Sequence, residues 1–315
     1  MLEQRFIIIG GKGGVGRTTV AVSLAALLAR RGRRVLLAHV RSRQRVAAML
    51  GSSAEIDDEI RLVQPNLWAV NMTPEAALRE KGLMVLRFKA VYRAVLENRV
   101  VRYFLRAVPA LNEYAVLGKA WYHTTETLDD GRPRFETVVF DGPATGHLIS
   151  MLRVPQVIVD TVPEGPLISD ARQVLTMLRD PGRTRLWIVT LAEEMPVREA
   201  QELLQSVRED LHISVDRLVV NSLYPDDFEK QPELSSALDR LVGEVDVGLR
   251  ALLRSARTIR ARRRINQHYL EELQTAVPLP RLTLPHLFVP ELDRGCIDRL
   301  STIMAAQLGM SLPAA

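Results

Sequence analysis

Phe6-Ile7-Ile8-Ile9-Gly10-Gly11-Lys12-Gly13-Gly14-Val15-Gly16-Arg17-Thr18-Thr19 decides how this chain is read. A short apolar run breaks directly into a glycine-rich loop. Small and apolar residues from about Thr18 to Arg31 then form a helical pattern that stops at Gly32. Glycines let successive backbone N–H groups point into one concavity, and the N-terminus of the following helix adds partial positive charge. Gly11 to Thr19 therefore reads as a phosphate nest, with the Thr18 hydroxyl placed to ligate Mg²⁺. The strict pattern G-x-x-x-x-G-K-[ST] fails at one position, where Arg17 replaces the lysine.

Outward from the loop, strand-like runs alternate with helical patterns: Val35–Ala38, Leu67–Val70, Thr137–Phe140, Leu186–Val189 and Leu218–Val220. Each is short and apolar at successive positions, as a strand covered on both faces should be. The expected fold class is α/β, a doubly wound parallel sheet carrying a nucleotide at the carboxyl ends of its strands. All 315 residues read as one domain. From about Pro74 to His123 the pattern turns to helix without strand, a helical insertion of about 74–123 in which Pro109 separates two stretches. A basic helical segment is expected over about 234–273, with a frayed tail after Leu308.

Composition narrows the class without naming a function. The chain is 47% hydrophobic and 25% charged, with a formal net charge of +5. Lysine occurs only at positions 12, 81, 89, 119 and 230, so arginine supplies the rest of the 42 basic residues. That balance permits contact with phosphates or an anionic surface without demanding either. Cys296 is the one cysteine, which excludes an internal disulfide framework and a multi-cysteine zinc site. With no spanning-length apolar run and no leader pattern, the expected location is the cytoplasm. Leu83 to Val108 interleaves apolar residues with arginines, an amphipathic pattern that either closes a core or meets a partner or membrane surface. Arg250 to Arg264 reads as a solvated basic face. Aromatic interleaving is missing there, so no nucleic acid is expected as a partner.

The loop with its early lysine, Lys-Gly-Gly-Val-Gly-Arg-Thr-Thr, resembles the deviant phosphate loop of arsenite-pump ATPases, tail-anchored-protein targeting ATPases, septum-site and partition ATPases, and nitrogenase iron protein. Further stretches are similar to the arsenite-pump and tail-anchor branch: Asp141-Gly142-Pro143-Ala144-Thr145-Gly146-His147, Pro109-Ala110-Leu111-Asn112-Glu113, Val189 to Ala200, Val219-Val220-Asn221, and Val289 to Gly295. The resemblance implies ATP or ADP with Mg²⁺ as cofactors. By position it implies that Asp141 holds a water on the Mg²⁺, that Asn221 reads adenine, and that Lys12 reaches a partner's nucleotide across a dimer. The partner is either a second copy or a related ATPase, and the helical insertion would meet a hydrophobic helix client or a membrane surface.

Two departures bear on catalysis. The branch carries an aspartate after its second strand that positions the attacking water. Here Ala38-His39-Val40-Arg41-Ser42 puts Arg41 at that place, and a guanidinium accepts no hydrogen bond from water. Arg17 keeps a positive charge, but its planar fork is not equivalent to an ammonium in a tight cradle. The expectation is nucleotide binding with weak or absent hydrolysis in an assembly or targeting subunit, with no catalytic residue assigned. Alternatives are an active ATPase moving hydrophobic or membrane cargo, with another carboxylate or His39 or His147 holding the water, and a scaffold whose loop is a relic. A single cysteine cannot supply the several thiolates that trivalent arsenic wants, so arsenite is not expected as a ligand.

Overall fold

The computed structural model describes residues 4–40, 43–53, 55–77, 111–161, 164, 166–240 and 247–312. In chain order the elements are β1 (Phe6–Gly11), α1 (Arg17–Arg30), β2 (Val35–His39), α2 (Arg43–Leu50), β3 (Arg61–Gln64), β4 (Leu67–Asn71), α3 (Leu111–Thr125), β5 (Thr137–Asp141), α4 (Thr145–Thr161) and α5 (Pro166–Arg179). Then follow β6 (Thr184–Leu191), α6 (Glu194–Gln205) with a wide turn at Ser206–Asp210, β7 (Val215–Leu223), α7 (Asp227–Lys230), α8 (Pro232–Arg240), α9 (Val247–Ala276), β8 (Arg281–Pro285) and α10 (Arg294–Gln307).

The strands form one eight-stranded sheet in the order β3-β4-β2-β5-β1-β6-β7-β8. All neighbours are parallel except the antiparallel β3–β4 pair at one edge. Alternate residues of each strand serve opposite faces. Phe6, Ile8, Leu36, Phe140, Leu186 and Val220 join the core beneath α3 to α6 and the end of α9. Ile7, Ile9, Leu37, Val139, Trp187 and Val219 join the core beneath α1, α2 and α10. The fold is the doubly wound α/β sheet expected of a phosphate-loop protein.

α1 is buried at every position from Thr19 to Ala29, because it lies between the sheet and α10 rather than on the surface. Gly32, with φ +84, turns the chain after it at no Cβ cost. Two strands escape a sequence reading, β3 and β8. They lie at the sheet's two edges and lack a continuous apolar run: Leu62 is 61% exposed, and β8 alternates half-buried with buried residues. The tail also differs from expectation, since Met310 and Leu312 pack against the α1–α10 core and the Arg31 guanidinium donates to the Ser311 carbonyl at 3.1 Å. Most of the expected 74–123 insertion, including Leu83 to Val108, falls on 78–110, outside the described residues. Among the described residues no helix is long and apolar enough to cross a membrane.

Candidate nucleotide site

The loop leaves β1 at the middle of the sheet, where β5 and β6 flank it. Gly11 ends the strand with φ +147, and a Cβ there would lie 2.2 Å from the Val189 carbonyl oxygen of β6. Gly16, with φ +89, caps α1; no side chain bonds the helix's first N–H groups and no acidic residue sits in its first turn. Those donors are left for an anion. Gly13 is informative for the opposite reason. Its φ is ordinary and a Cβ on it would meet nothing within 4 Å, so the protein itself does not demand glycine there. Its backbone is left open to the close approach of a ligand.

The remaining site residues of the loop are tied to the ends of other strands. The Thr18 hydroxyl donates to Asp141 Oδ2 at 2.7 Å, joining α1 to the end of β5. The Arg17 guanidinium donates to the Gly142 carbonyl, and its Nε reaches the Lys12 carbonyl at 3.3 Å. The Lys12 ammonium is paired with Glu199 of α6. Asn221, at the end of β7, donates to the Val15 carbonyl at 2.9 Å. Val15 and Thr19 are buried under the loop, and Gly14 is exposed on its rim with φ +88. Of the two histidines, His39 is buried beside Asp141 on the adjacent strand, while His147 is exposed at the start of α4. Arg41 lies outside the described residues.

Asp141 is 4% exposed, and its Oδ1 has no hydrogen-bond partner. A buried carboxylate oxygen left unsatisfied is costly unless something arrives to bond it. Thr18 and Asp141 therefore fit a hydrated Mg²⁺, which typically takes only one or two protein oxygens and keeps waters and phosphate oxygens for the rest. Among the described residues no cluster of three or more His, Cys, Asp or Glu offers a metal cage instead. Burial pushes the Asp141 carboxyl up to about 6, against the Thr18 hydrogen bond and the Arg17 charge, which both lower it. Burial likewise lowers the Arg17 guanidinium, with Asp141 opposing.

That shift has a consequence for stability. Between pH 3.8 and about 6 the folded chain holds a proton on Asp141 that the unfolded chain has released. Stability thus falls as pH rises through this window and is flat above it, a cost of about 3 kcal/mol at neutral pH. Asp141→Asn is expected to raise the urea midpoint of the ligand-free protein at pH 7 and to change it little at pH 4. An equal change at both pH values would show that the carboxylate does not sit in this environment.

Sequence reasoning singled out the stretch Val189 to Ala200 but gave Glu199 no role; its pairing with Lys12, across 187 positions, emerges only in the structure. The sequence reading also missed an aromatic group just beyond Asn221. Tyr224 and His286 stack with ring centroids 4.9 Å apart, and Phe288, with φ +51 and half its surface exposed, packs edge-on to both. Ser222 bonds His286 Nδ1 at 2.7 Å. His286 and Phe288 follow β8, so their closeness to Tyr224 is invisible until that edge strand is placed.

Comparison with known proteins agrees with this geometry. A family model described as anion-transporting ATPase matches residues 4–164 and 166–239. The ATPase BagA of Mycobacterium tuberculosis is 28% identical over 326 residues, covering 96% of this chain and 93% of its own length. The arsenical pump-driving ATPase of Escherichia coli is 25% identical over 74% of this chain and 42% of its own length. ATPase GET3 of Kluyveromyces lactis is 22% identical over 70% of this chain and 72% of its own. With a glycine nest at the centre of the sheet, an uncapped helix N-terminus facing it and a buried threonine–aspartate pair beside it, the chain belongs to the anion-transporting ATPase family.

Proposed function

We propose that this protein binds Mg-ATP, or ADP, in the loop between β1 and α1, hydrolyses it slowly or not at all, and acts as the nucleotide-responsive subunit of a cytoplasmic dimer in assembly or targeting. The carrying observation is that both loop cations are engaged within the chain, Arg17 on the Gly142 carbonyl and Lys12 on Glu199. Phosphoryl transfer relies almost wholly on positioned charge. A site whose lysine is an arginine bonded to its own backbone, and whose second strand is followed by Arg41 rather than a carboxylate, is better suited to holding nucleotide than to cleaving it. Thr18 and Asp141 would hold the Mg²⁺, which neutralises phosphate charge when bound. The backbone nest would hold the phosphates, and Asn221 with the Tyr224–His286 pair would receive the base.

Lys12 would leave Glu199 for the nucleotide of a partner, either a second copy or a related ATPase. The Lys12–Glu199 pair is nearly one-third exposed on each side, so exchanging it costs the fold little. The single domain would carry its insertion of about 74–123 toward a hydrophobic helix client or a membrane surface, with no nucleic acid partner. The relatives' names as ATPases favour the second reading, an active enzyme driving such cargo.

Calorimetric titration of the purified chain with Mg-ATP, followed by phosphate release and light scattering, tests this. Binding with little phosphate release is expected, with nucleotide-dependent dimerisation that Lys12→Ala abolishes. Turnover lost in Asp141→Ala would favour the active enzyme. No binding by folded protein would leave a scaffold whose loop is a relic.

A further inference from the structure

α9 is 30 residues long and buries only Leu253, Asn266 and Leu273. Two of these are apolar, as a helix resting on a core requires. The third is an asparagine 4% exposed, a position where leucine would avoid the desolvation of a carboxamide. Both ends of that carboxamide are used. Oδ1 accepts from the Tyr224 N–H at 3.0 Å, and Nδ2 donates to the Ala192 carbonyl at 3.1 Å. A backbone N–H only donates and a carbonyl only accepts, so the orientation of the amide is fixed by its partners.

Ala192 is the first residue after β6 and Tyr224 the first after β7, on adjacent strands. Asn266 therefore spans two strand ends, and a rigid carboxamide satisfies both only at one separation. Neighbouring side chains reinforce the attachment. Arg263 bonds both carboxylate oxygens of Glu229 at 3.0 Å and reaches the Tyr224 carbonyl at 3.4 Å, while Arg262 pairs with Glu193 at 3.4 Å. Each anchored end leads to the loop. Ala192 and Glu193 open into α6, which carries Glu199 on Lys12. Tyr224 stacks on His286, three residues past the Asn221 that holds Val15.

We infer that Asn266 is a positioning residue through which the nucleotide site sets the placement of α9, and that the far end of that helix is the part that responds. This rests on the ATP-binding reading above. A phosphate that draws Lys12 from Glu199 removes the tie between the loop and α6, the helix that follows Ala192, and a base set against Tyr224 loads the other anchor. Any change in the spacing of the two strand ends breaks one of the two Asn266 bonds or moves the helix. Toward its N-terminal end α9 rests on α8, where Arg260 donates to Ser235 Oγ at 3.0 Å and Arg257 to the Leu238 carbonyl at 3.5 Å, and it leaves Val247 78% and Leu252 69% exposed. Movement there changes how much apolar surface the protein presents.

The test is hydrogen exchange over residues 247–258 in the full chain, with and without Mg-ATP, at concentrations that calorimetry shows to saturate each protein. In the wild type, Mg-ATP is expected to change exchange there by about fivefold or more, and in Asn266→Ala the change is expected to disappear. Asn266→Asp keeps the acceptor for Tyr224 and removes the donor to Ala192. It provides the same comparison if the alanine variant does not fold, and is expected to lose most of the response. Bound Mg-ATP with no change in the wild type, or an undiminished change in the variants, overturns the coupling. No calorimetric binding to the wild type would instead remove the ATP reading, and the coupling with it.

Discussion

The double variant Arg17→Lys, Arg41→Asp is expected to hydrolyse Mg-ATP at least about a hundredfold faster than the wild type, with each single change giving less. The Arg17 guanidinium has donors directed at the Gly142 and Lys12 carbonyls, both backbone atoms of the site itself. A lysine places one compact charge on a flexible stem and can follow a phosphate without a planar fork to accommodate. By the family resemblance, residue 41 stands at the position that serves the other reactant. An aspartate accepts a hydrogen bond from water and orients it, whereas an arginine repels no phosphate but can align no nucleophile. The two changes serve different steps of one displacement, so their effects should reinforce each other. Phosphate release at saturating Mg-ATP, with Asp141→Ala added to the double variant as the inactive control, measures this. A wild type already as fast as the double variant would mean that other residues position the water, and that the protein is an active ATPase.

Two glycines of the same loop should separate folding from binding. Gly11→Ala is expected to destabilise the chain by about 3 kcal/mol or more, because its new methyl meets the Val189 carbonyl oxygen at 2.2 Å. That oxygen belongs to the backbone of the neighbouring strand and cannot turn aside as a side chain would; yielding means parting β1 from β6 at the centre of the sheet. Gly13→Ala should do the reverse. Nothing lies within 4 Å of its added Cβ and its φ is ordinary, so the urea midpoint should stay within error of the wild type. The methyl would stand where a phosphate approaches the backbone, and Mg-ATP affinity should fall at least about tenfold. Equal destabilisation by both changes would contradict the geometry of the loop, and unchanged affinity in Gly13→Ala would place the nucleotide elsewhere.

The central strands and the loop were legible in the sequence because their signals are local. Phe6–Ile9 followed by glycines, a run of small apolar residues ending at Gly32, and short apolar strands at intervals each declare themselves within a few residues. Thr18 was legible from the loop, and Asp141 from the likeness of the stretch Asp141 to His147 to the arsenite-pump and tail-anchor branch; their hydrogen bond appears only in the structure. Edge strands β3 and β8 were not legible, because they lack the continuous apolar run that burial on both faces imposes.

What the residues settled alone is the α/β class and the family, with a glycine loop after the first strand and arginine at positions 17 and 41. Only the tertiary structure decided where the charges of that loop go, that Lys12 rests on Glu199, that Arg17 turns to Gly142, and that Asn266 joins the ends of β6 and β7. The physical reason is separation along the chain. Glycine conformation and apolar alternation are properties of neighbouring residues. A hydrogen bond between positions 12 and 199, or 192 and 266, exists only once the sheet has brought those segments side by side, and no pattern in either segment names the other.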